Sequence, residues 1–297
     1  MWKANNFLIT NECGFKDIDL LANLNVNINK WIYSELIEAK NKIQKNLEDY
    51  RFDEAAKNAY QFAWHSYCDW YLELSKTILF SDDNDAKAEV KKVSSYVFKQ
   101  ILILLHPFIP FVTEEIWLKD KFDKDGSDFL MHKNWVTGEV NKDNSTEQVE
   151  NIINIISELR SFKNELNVSP GSFIDVSVKG INENQKEFIN KNEVILKKLG
   201  RINNILNDDL EKPDATMVVS GDLFKIYFDK DVDLKLIKEN LTNKQSRLEQ
   251  EMNKISQRLE NKSFVDRAPK EIVEQEKTNY NNLKNDIEKI SITIKGI

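Results

Sequence analysis

The histidines and cysteines are the side chains of this sequence best suited to metal or nucleophile chemistry, and their spacing decides what is open to them. His65, His106 and His132 are scattered, and Cys13 and Cys68 stand 55 positions apart. No Cys-x-x-Cys, His-x-x-x-His or His-Glu-x-x-His cluster exists, which excludes a zinc site built from local motifs. His65 and His106 are read without a paired carboxylate or nucleophile, so no general base is expected there. The eight glycines never lie closer than nine residues. A dinucleotide turn and a phosphate loop both need closely spaced glycines, so both are excluded. What remains is basic. Positions 235–270 hold nine Lys or Arg against five Asp or Glu, in a chain whose formal charge is −7. Within that stretch Arg247, Lys254, Arg258 and Lys262 fall seven and four apart, one stripe of a helix, with Lys244 just before them. Such a stripe suits a polyanion, although any solvated coiled coil also carries mixed charge.

The elements that carry these residues are mostly helices. Few glycines and only five prolines mean few tight turns. Ile28, Ile32, Leu36, Ala39, Ile43 and Leu47 recur at three- and four-residue steps, predicting a first long helix. A second starts at Asp53, taken as its N-cap, and carries Ala56, Ala59, Ala63, Trp70, Leu74 and Ile78 on one face. A third covers 86–106 and stops at His106-Pro-Phe-Ile-Pro110, since proline cannot continue a helix. A further piece restarts at 111–117, 119–145 reads as a loop-rich boundary, and another helix covers 146–166. Then the period changes. Phe173 to Val178 alternates as a strand does, 183–199 reads as a helix, and 216–219 and 223–228 flank Ser220-Gly221 as a hairpin. Leu234, Leu241, Leu248 and Ile255, then Val273, Tyr280, Ile287 and Ile294, form two heptad series. They predict an antiparallel coiled-coil hairpin that closes its own seam, hence a monomer. The expected fold is mainly α: a helical bundle (1–140), a small mixed α/β unit (141–230) and a coiled-coil arm (231–297). With two lone cysteines, no signal-peptide-like start and no unbroken apolar run, a soluble cytoplasmic protein without a membrane segment is expected.

Several stretches together resemble the C-terminal third of the valyl-tRNA synthetase family, class I aminoacyl-tRNA synthetases. They are Asn29-Lys-Trp-Ile32, Tyr50-Arg-Phe-Asp-Glu-Ala-Ala56 and Phe62-Ala-Trp-His-Ser-Tyr-Cys-Asp-Trp-Tyr-Leu-Glu73. Further on come His106 to Trp117, Glu158-Leu-Arg160, Glu165-Leu-Asn-Val-Ser-Pro170 and Leu259-Glu-Asn-Lys-Ser-Phe-Val-Asp-Arg-Ala-Pro269. The resemblance implies that the bundle is an anticodon-binding domain, that the arm lies against the corner of a tRNA, and that tRNA(Val) is the partner. The family's His-Ile-Gly-His and Lys-Met-Ser-Lys-Ser signatures are absent from this sequence. ATP and Mg2+ are therefore expected only with an N-terminal catalytic and editing portion, and the chain is read as a fragment or a truncated reading frame.

On that basis Arg51 and Phe52, between the first two helices, are candidates to contact the backbone and stack on an unpaired anticodon base. The alternative is that Phe52 staples the second helix and Arg51 is solvated. Lys30 matches a basic position of the family, whereas Glu35 stands where many relatives would carry a basic residue. Arg160 and Lys163 share a helical face and either touch the tRNA backbone or are solvated. Trp64, Trp70, Tyr71 and Trp117 are expected in the core, and Cys68 as a buried small residue. Three functions stay open at this point: part of a valine–tRNA ligase, a free-standing tRNA-binding module, or a coiled-coil interaction protein without RNA.

Overall fold

The computed structural model describes residues 1–14, 24–119, 128–139, 144–165, 168–179, 182–206, 214–219, 222–227, 234–261 and 270–296. The protein is mainly α and divides into two compact units, Met1–Ile153 and Asn154–Ile297.

The first unit is a helical bundle. Its helices are α1 (Trp2–Thr10), α2 (Asn27–Glu48), α3 (Phe52–Gln61), α4 (Leu72–Leu79), α5 (Asn84–Leu105) and α6 (Pro110–Lys119), followed by the start of α7 (Asn144–Glu165). The most buried is α5, whose Val90, Val93, Val97, Phe98, Ile101, Leu102 and Leu104 are inaccessible to solvent; α2 meets it with Ile28, Trp31, Ile32, Leu36 and Ile43. Asp83 caps α5, its Oδ1 accepting from the Asp85 and Ala86 amides at 3.1 and 2.9 Å. Helix α2 lacks a capping side chain of its own. Glu89 of α5 supplies the negative charge instead, accepting from the Asn25 and Val26 amides and from Asn29 Nδ2 at 2.9–3.0 Å. Tyr71 Oη then donates to Asn29 Oδ1 at 2.7 Å, a buried bond, so one chain of hydrogen bonds ties three segments together.

The expected second helix is not uniform. Between α3 and α4, residues Phe62–Tyr71 form a π-helical segment, whose wider turn resets the face that points inward. Tyr67 and Tyr71 become fully buried and stack on one another at 5.6 Å, whereas Trp64 is turned out and 49 % exposed. The core assignment therefore holds for Tyr71 and Trp117, fails for Trp64, and leaves Trp70 half-buried. Asp53 is not the N-cap either. Arg51 holds that position, and Asp53 lies in the first turn, where its charge still favours the helix dipole. The stretch expected to be loop-rich holds a 3₁₀ turn, Leu130–His132, with Leu130 and Val136 buried. Beyond it the chain crosses α2 at Gly138, whose φ is +142°. A Cβ there would come within 2.5 Å of Tyr33 Oη and 2.7 Å of Ile37 Cδ1, so only glycine fits.

The second unit holds the rest of α7, a four-stranded sheet and two long helices. Its strands are β1 (Ile174–Lys179), β2 (Ile202–Leu206), β3 (Asp214–Val219) and β4 (Asp222–Tyr227), in spatial order β2-β1-β4-β3. The β3–β4 hairpin is antiparallel, β4 pairs antiparallel with β1, and β1 pairs parallel with β2. The crossover between β1 and β2 carries two helices, α8 (Glu183–Lys191) and α9 (Glu193–Gly200), where the sequence suggested one. They divide at Asn192, which also ends the capping-box helix that Asn182 and Gln185 begin. The heptad series become α10 (Leu234–Glu260) and α11 (Lys270–Gly296), with Ile237, Leu241, Ile255, Val273 and Ile290 buried along the seam. Arg258 near the end of α10 pairs with Glu276 near the start of α11, as an antiparallel hairpin requires.

Candidate nucleic-acid interface

The corner between α2 and α3 is built by a helix ending. The Arg51 amide donates to Asn46 O at 2.7 Å and the Tyr50 amide to Leu47 O at 3.2 Å, the paired bonds of a Schellman motif. That motif needs a left-handed residue, usually glycine, and Tyr50 fills it at φ +58°. Holding a tyrosine there costs about 1–2 kcal/mol relative to ordinary helical geometry. The ring gains no burial in return, since Tyr50 is 81 % and Phe52 58 % exposed. The two rings meet edge to face at 6.3 Å, with exposed Arg51 between them. Two outward aromatic rings beside a guanidinium are the set that stacks on an unpaired base and reaches its phosphate. A staple would place the ring at the residue before the cap, and Phe52 instead opens α3, so the stapling alternative fails on geometry. The left-handed conformation of Tyr50 was not legible in the sequence, because nothing local marks a tyrosine as left-handed.

A second exposed aromatic pair bridges the end of α3 and the π-helical segment. Tyr60 and Trp64 stack at 6.2 Å with their planes 5° apart. Beside them a shallow groove of about 240 Å³ between α2 and α3 is lined by Glu35, Glu38, Asn58, Gln61 and His65. Glu35 accepts from Ser66 Oγ at 3.0 Å, and His65 Nδ1 faces Asp69 Oδ2 at 3.3 Å on the surface. The carboxylate partner of His65, one turn along the helix, had escaped the sequence reading. His106 likewise bonds Thr113 Oγ1 at 2.8 Å and lies 3.8 Å from Glu114, where it closes the junction of α5 with α6. Lys30 is not part of the corner: it lies in the first turn of α2, about 30 Å from Arg51 at 1.5 Å per residue.

In the second unit, Arg160 and Lys163 do not offer one solvated face. Arg160 is exposed, and its guanidinium donates through Nε and Nη2 to Leu199 O at 3.3 and 2.9 Å. Lys163 is only 2 % exposed, and its ammonium donates to Ser172 O at 2.5 Å. Burial, then the Arg201 and Arg160 charges, hold that ammonium below the usual lysine range. As a surface contact to RNA, the Lys163 assignment is corrected: the side chain is buried and tied to the Ser172 carbonyl, two residues before β1. On the arm, Arg247 and Lys254 are exposed and outward, while Lys244 and Arg258 flank the seam. Arg258 Nη1 spends part of its charge on Glu276 Oε1 at 3.2 Å. Lys262 lies outside the described residues, as does the Phe264 to Pro269 motif. Among the described residues no group of three His, Cys, Asp or Glu can hold a metal ion, and no helix is long and apolar enough to cross a membrane.

Residues 29–178, just over half of the chain, match a family model described as the anticodon-binding domain of tRNA ligase. The chain belongs to this family. The anticodon-binding domain is followed by a second match, at 233–297, to the valyl tRNA synthetase tRNA binding arm. The chain is similar to the valine–tRNA ligase of Pelagibacter ubique (strain HTCC1062), at 72 % identity over 297 residues, all of this chain and 34 % of the relative. It is similar also to those of Mesorhizobium japonicum, 30 % identical over 99 % of this chain and 32 % of the relative, and Bartonella quintana, 31 % over 100 % and 33 %. It thus spans about a third of the length of the relatives it matches.

Proposed function

We propose that this chain is the tRNA-recognising portion of a valine–tRNA ligase. The bundle (1–140) takes the anticodon stem-loop at the Tyr50-Arg51-Phe52 corner, a connecting unit (141–230) follows, and the arm (231–297) tracks phosphates at the tRNA corner through Lys244, Arg247, Lys254, Arg258 and Lys262. Lys30 and Arg160 add backbone contacts. The complete enzyme joins ATP, L-valine and tRNA(Val) into valyl-tRNA(Val), AMP and diphosphate, with ATP and Mg2+ held by a catalytic portion whose signatures this sequence lacks. The protein acts as a monomer in the cytoplasm. The observation that carries the reading is the left-handed Tyr50, a strained cap residue whose ring is turned to solvent beside Arg51 and Phe52. Strain of that kind persists where function repays it.

The test is binding of the purified chain to a tRNA(Val) transcript, with a non-cognate tRNA alongside. Tighter binding of the cognate species is expected, and no valine-dependent ATP–pyrophosphate exchange. Absence of tRNA binding would leave a coiled-coil interaction protein, and exchange activity would refute the assignment of the chemistry to another portion.

A further inference from the structure

The bundle turns two large rings outward that its core does not use. Tyr60 stands in the last turn of α3 and Trp64 in the π-helical segment that follows, and each is about half exposed. Their planes lie within 5° of parallel with centres 6.2 Å apart, so the rings form one stack with open area in contact with water. Mutual stacking of two exposed rings is a small gain for a helix and calls for no change of helix type. The π segment makes the arrangement: the same wider turn that takes Tyr67 and Tyr71 into the core sends Trp64 out. Such turns are rare, and many occur at functional sites. Polar groups adjoin the rings. The carboxamides of Asn58 and Gln61 and the His65 imidazole line the groove between α2 and α3. Carboxamides donate and accept, as the edge of a nucleobase does. Glu35 and Glu38, bonded to Ser66 and Lys42, form the α2 wall, which suits a base edge and not a phosphate. Lys57, one turn before Tyr60, is exposed, and its surface pair with Glu54 at 3.7 Å is weak enough to yield to a phosphate.

We propose that Tyr60 and Trp64 form a second stacking platform, which takes one further unpaired base of the RNA strand held at the Tyr50-Arg51-Phe52 corner. This rests on the tRNA-binding reading above and adds to it a second base. The occupant follows from continuity with that corner. Phe52 and Tyr60 lie eight residues apart on one helix, about 12 Å at 1.5 Å per residue, the length of three to four bases spaced about 3.4 Å apart. One strand leaving the corner reaches the pair, with no second RNA segment needed. Every base has a π face, so the rings hold the strand in place and leave the choice of base to hydrogen bonds at its edge.

The experiment measures the affinity of the full chain for a tRNA(Val) transcript, with Tm on the same preparations, for the wild type, Tyr60→Ala, Trp64→Ala and Trp64→Phe. Loss of one stacked base raises Kd about 5- to 150-fold, which is expected for Trp64→Ala. Trp64→Phe keeps a ring and should recover most of that loss. The slope of log affinity against log salt should stay that of the wild type, since a neutral ring displaces no counterions. Transcripts with one anticodon-loop base at a time removed then locate the occupant. At one position the missing base should weaken binding by the wild type and not by Trp64→Ala, and that position should differ from the one coupled in the same way to Phe52→Ala. Should Trp64→Ala not fold, Tyr60→Ala carries the same comparison. Unchanged Kd in the folded alanine variants, or losses that add at every position, would overturn the platform while leaving tRNA binding intact, and the pair would then be cover for a protein surface. A lower Tm with Kd unchanged on folded protein would assign the rings to bundle stability and overturn it too. A wild-type chain that binds no tRNA would remove both readings.

Discussion

Replacing Phe52 by alanine separates recognition from stability, because the ring is mostly outside the fold. Phe52 is 58 % exposed, so about 80 Å² of a side chain of about 200 Å² is covered, worth at most about 2 kcal/mol at 25 cal/mol/Å². Alanine keeps its own share and the unfolded chain already covers some of this area, so the expected loss of stability is about 1 kcal/mol. A ring stacked on an unpaired base contributes about 1–3 kcal/mol to binding, a rise in Kd of about 5- to 150-fold. Phe52→Ala should therefore cost more in tRNA affinity than in unfolding free energy. The companion is Tyr50→Gly, which relieves about 1–2 kcal/mol of left-handed strain but gives back about 0.4–1 kcal/mol in the unfolded chain. Its stability should match or exceed that of the wild type while affinity falls. Urea unfolding and fluorescence titration with tRNA(Val), on the same preparation, give both numbers. A folded Phe52→Ala with unchanged Kd, or a Tyr50→Gly that binds as well as the wild type, would refute the corner as an RNA contact.

On the arm, changing Lys244, Arg247 and Lys254 together to glutamine should flatten the salt dependence of tRNA binding by up to about 2–3 units, with helicity by circular dichroism unchanged. Gly138→Ala should destabilise the bundle by about 1–3 kcal/mol in urea unfolding, since the new methyl meets Tyr33 and Ile37 on α2. Tyr71→Phe should cost about 1–3 kcal/mol by stranding the buried Asn29 carbonyl, with no change in tRNA affinity measured on folded protein. Burial pushes the Cys13 thiol up to about 11, so the folded state keeps a proton that the unfolded state releases near pH 9. Stability should then fall as pH rises from about 9 to 11, and fall less in Cys13→Ala; equal pH profiles for the two proteins would contradict the shift.

Periodicity, chain-breaking residues and charge are local properties, and what they control was legible in the sequence. The heptads of 234–259 and 273–294 delimit α10 and α11 because an apolar seam every seven residues can close only on another helix. His106-Pro107 ends α5, and the alternation before and after Ser220 makes two paired strands. The helix boundary at Arg51 and Phe52 was legible because a boundary must fall between two periodic runs. What only the tertiary structure decided is which way the remaining side chains face. The π segment turns Trp64 out and Tyr67 in because packing of tyrosines on α5, not the 3.6-residue period, selects the buried face. Lys163 goes inside to meet the Ser172 carbonyl, a contact between segments that no helical wheel contains. Strand β2 (Ile-Asn-Asn-Ile-Leu) is too polar to read as a strand alone; it forms because β1 offers it a parallel edge. Tyr50 and Arg201 take left-handed backbones for the same kind of reason: each closes a helix end whose position is set by the elements packed around it, and that long-range constraint overrides the local preference of the residue.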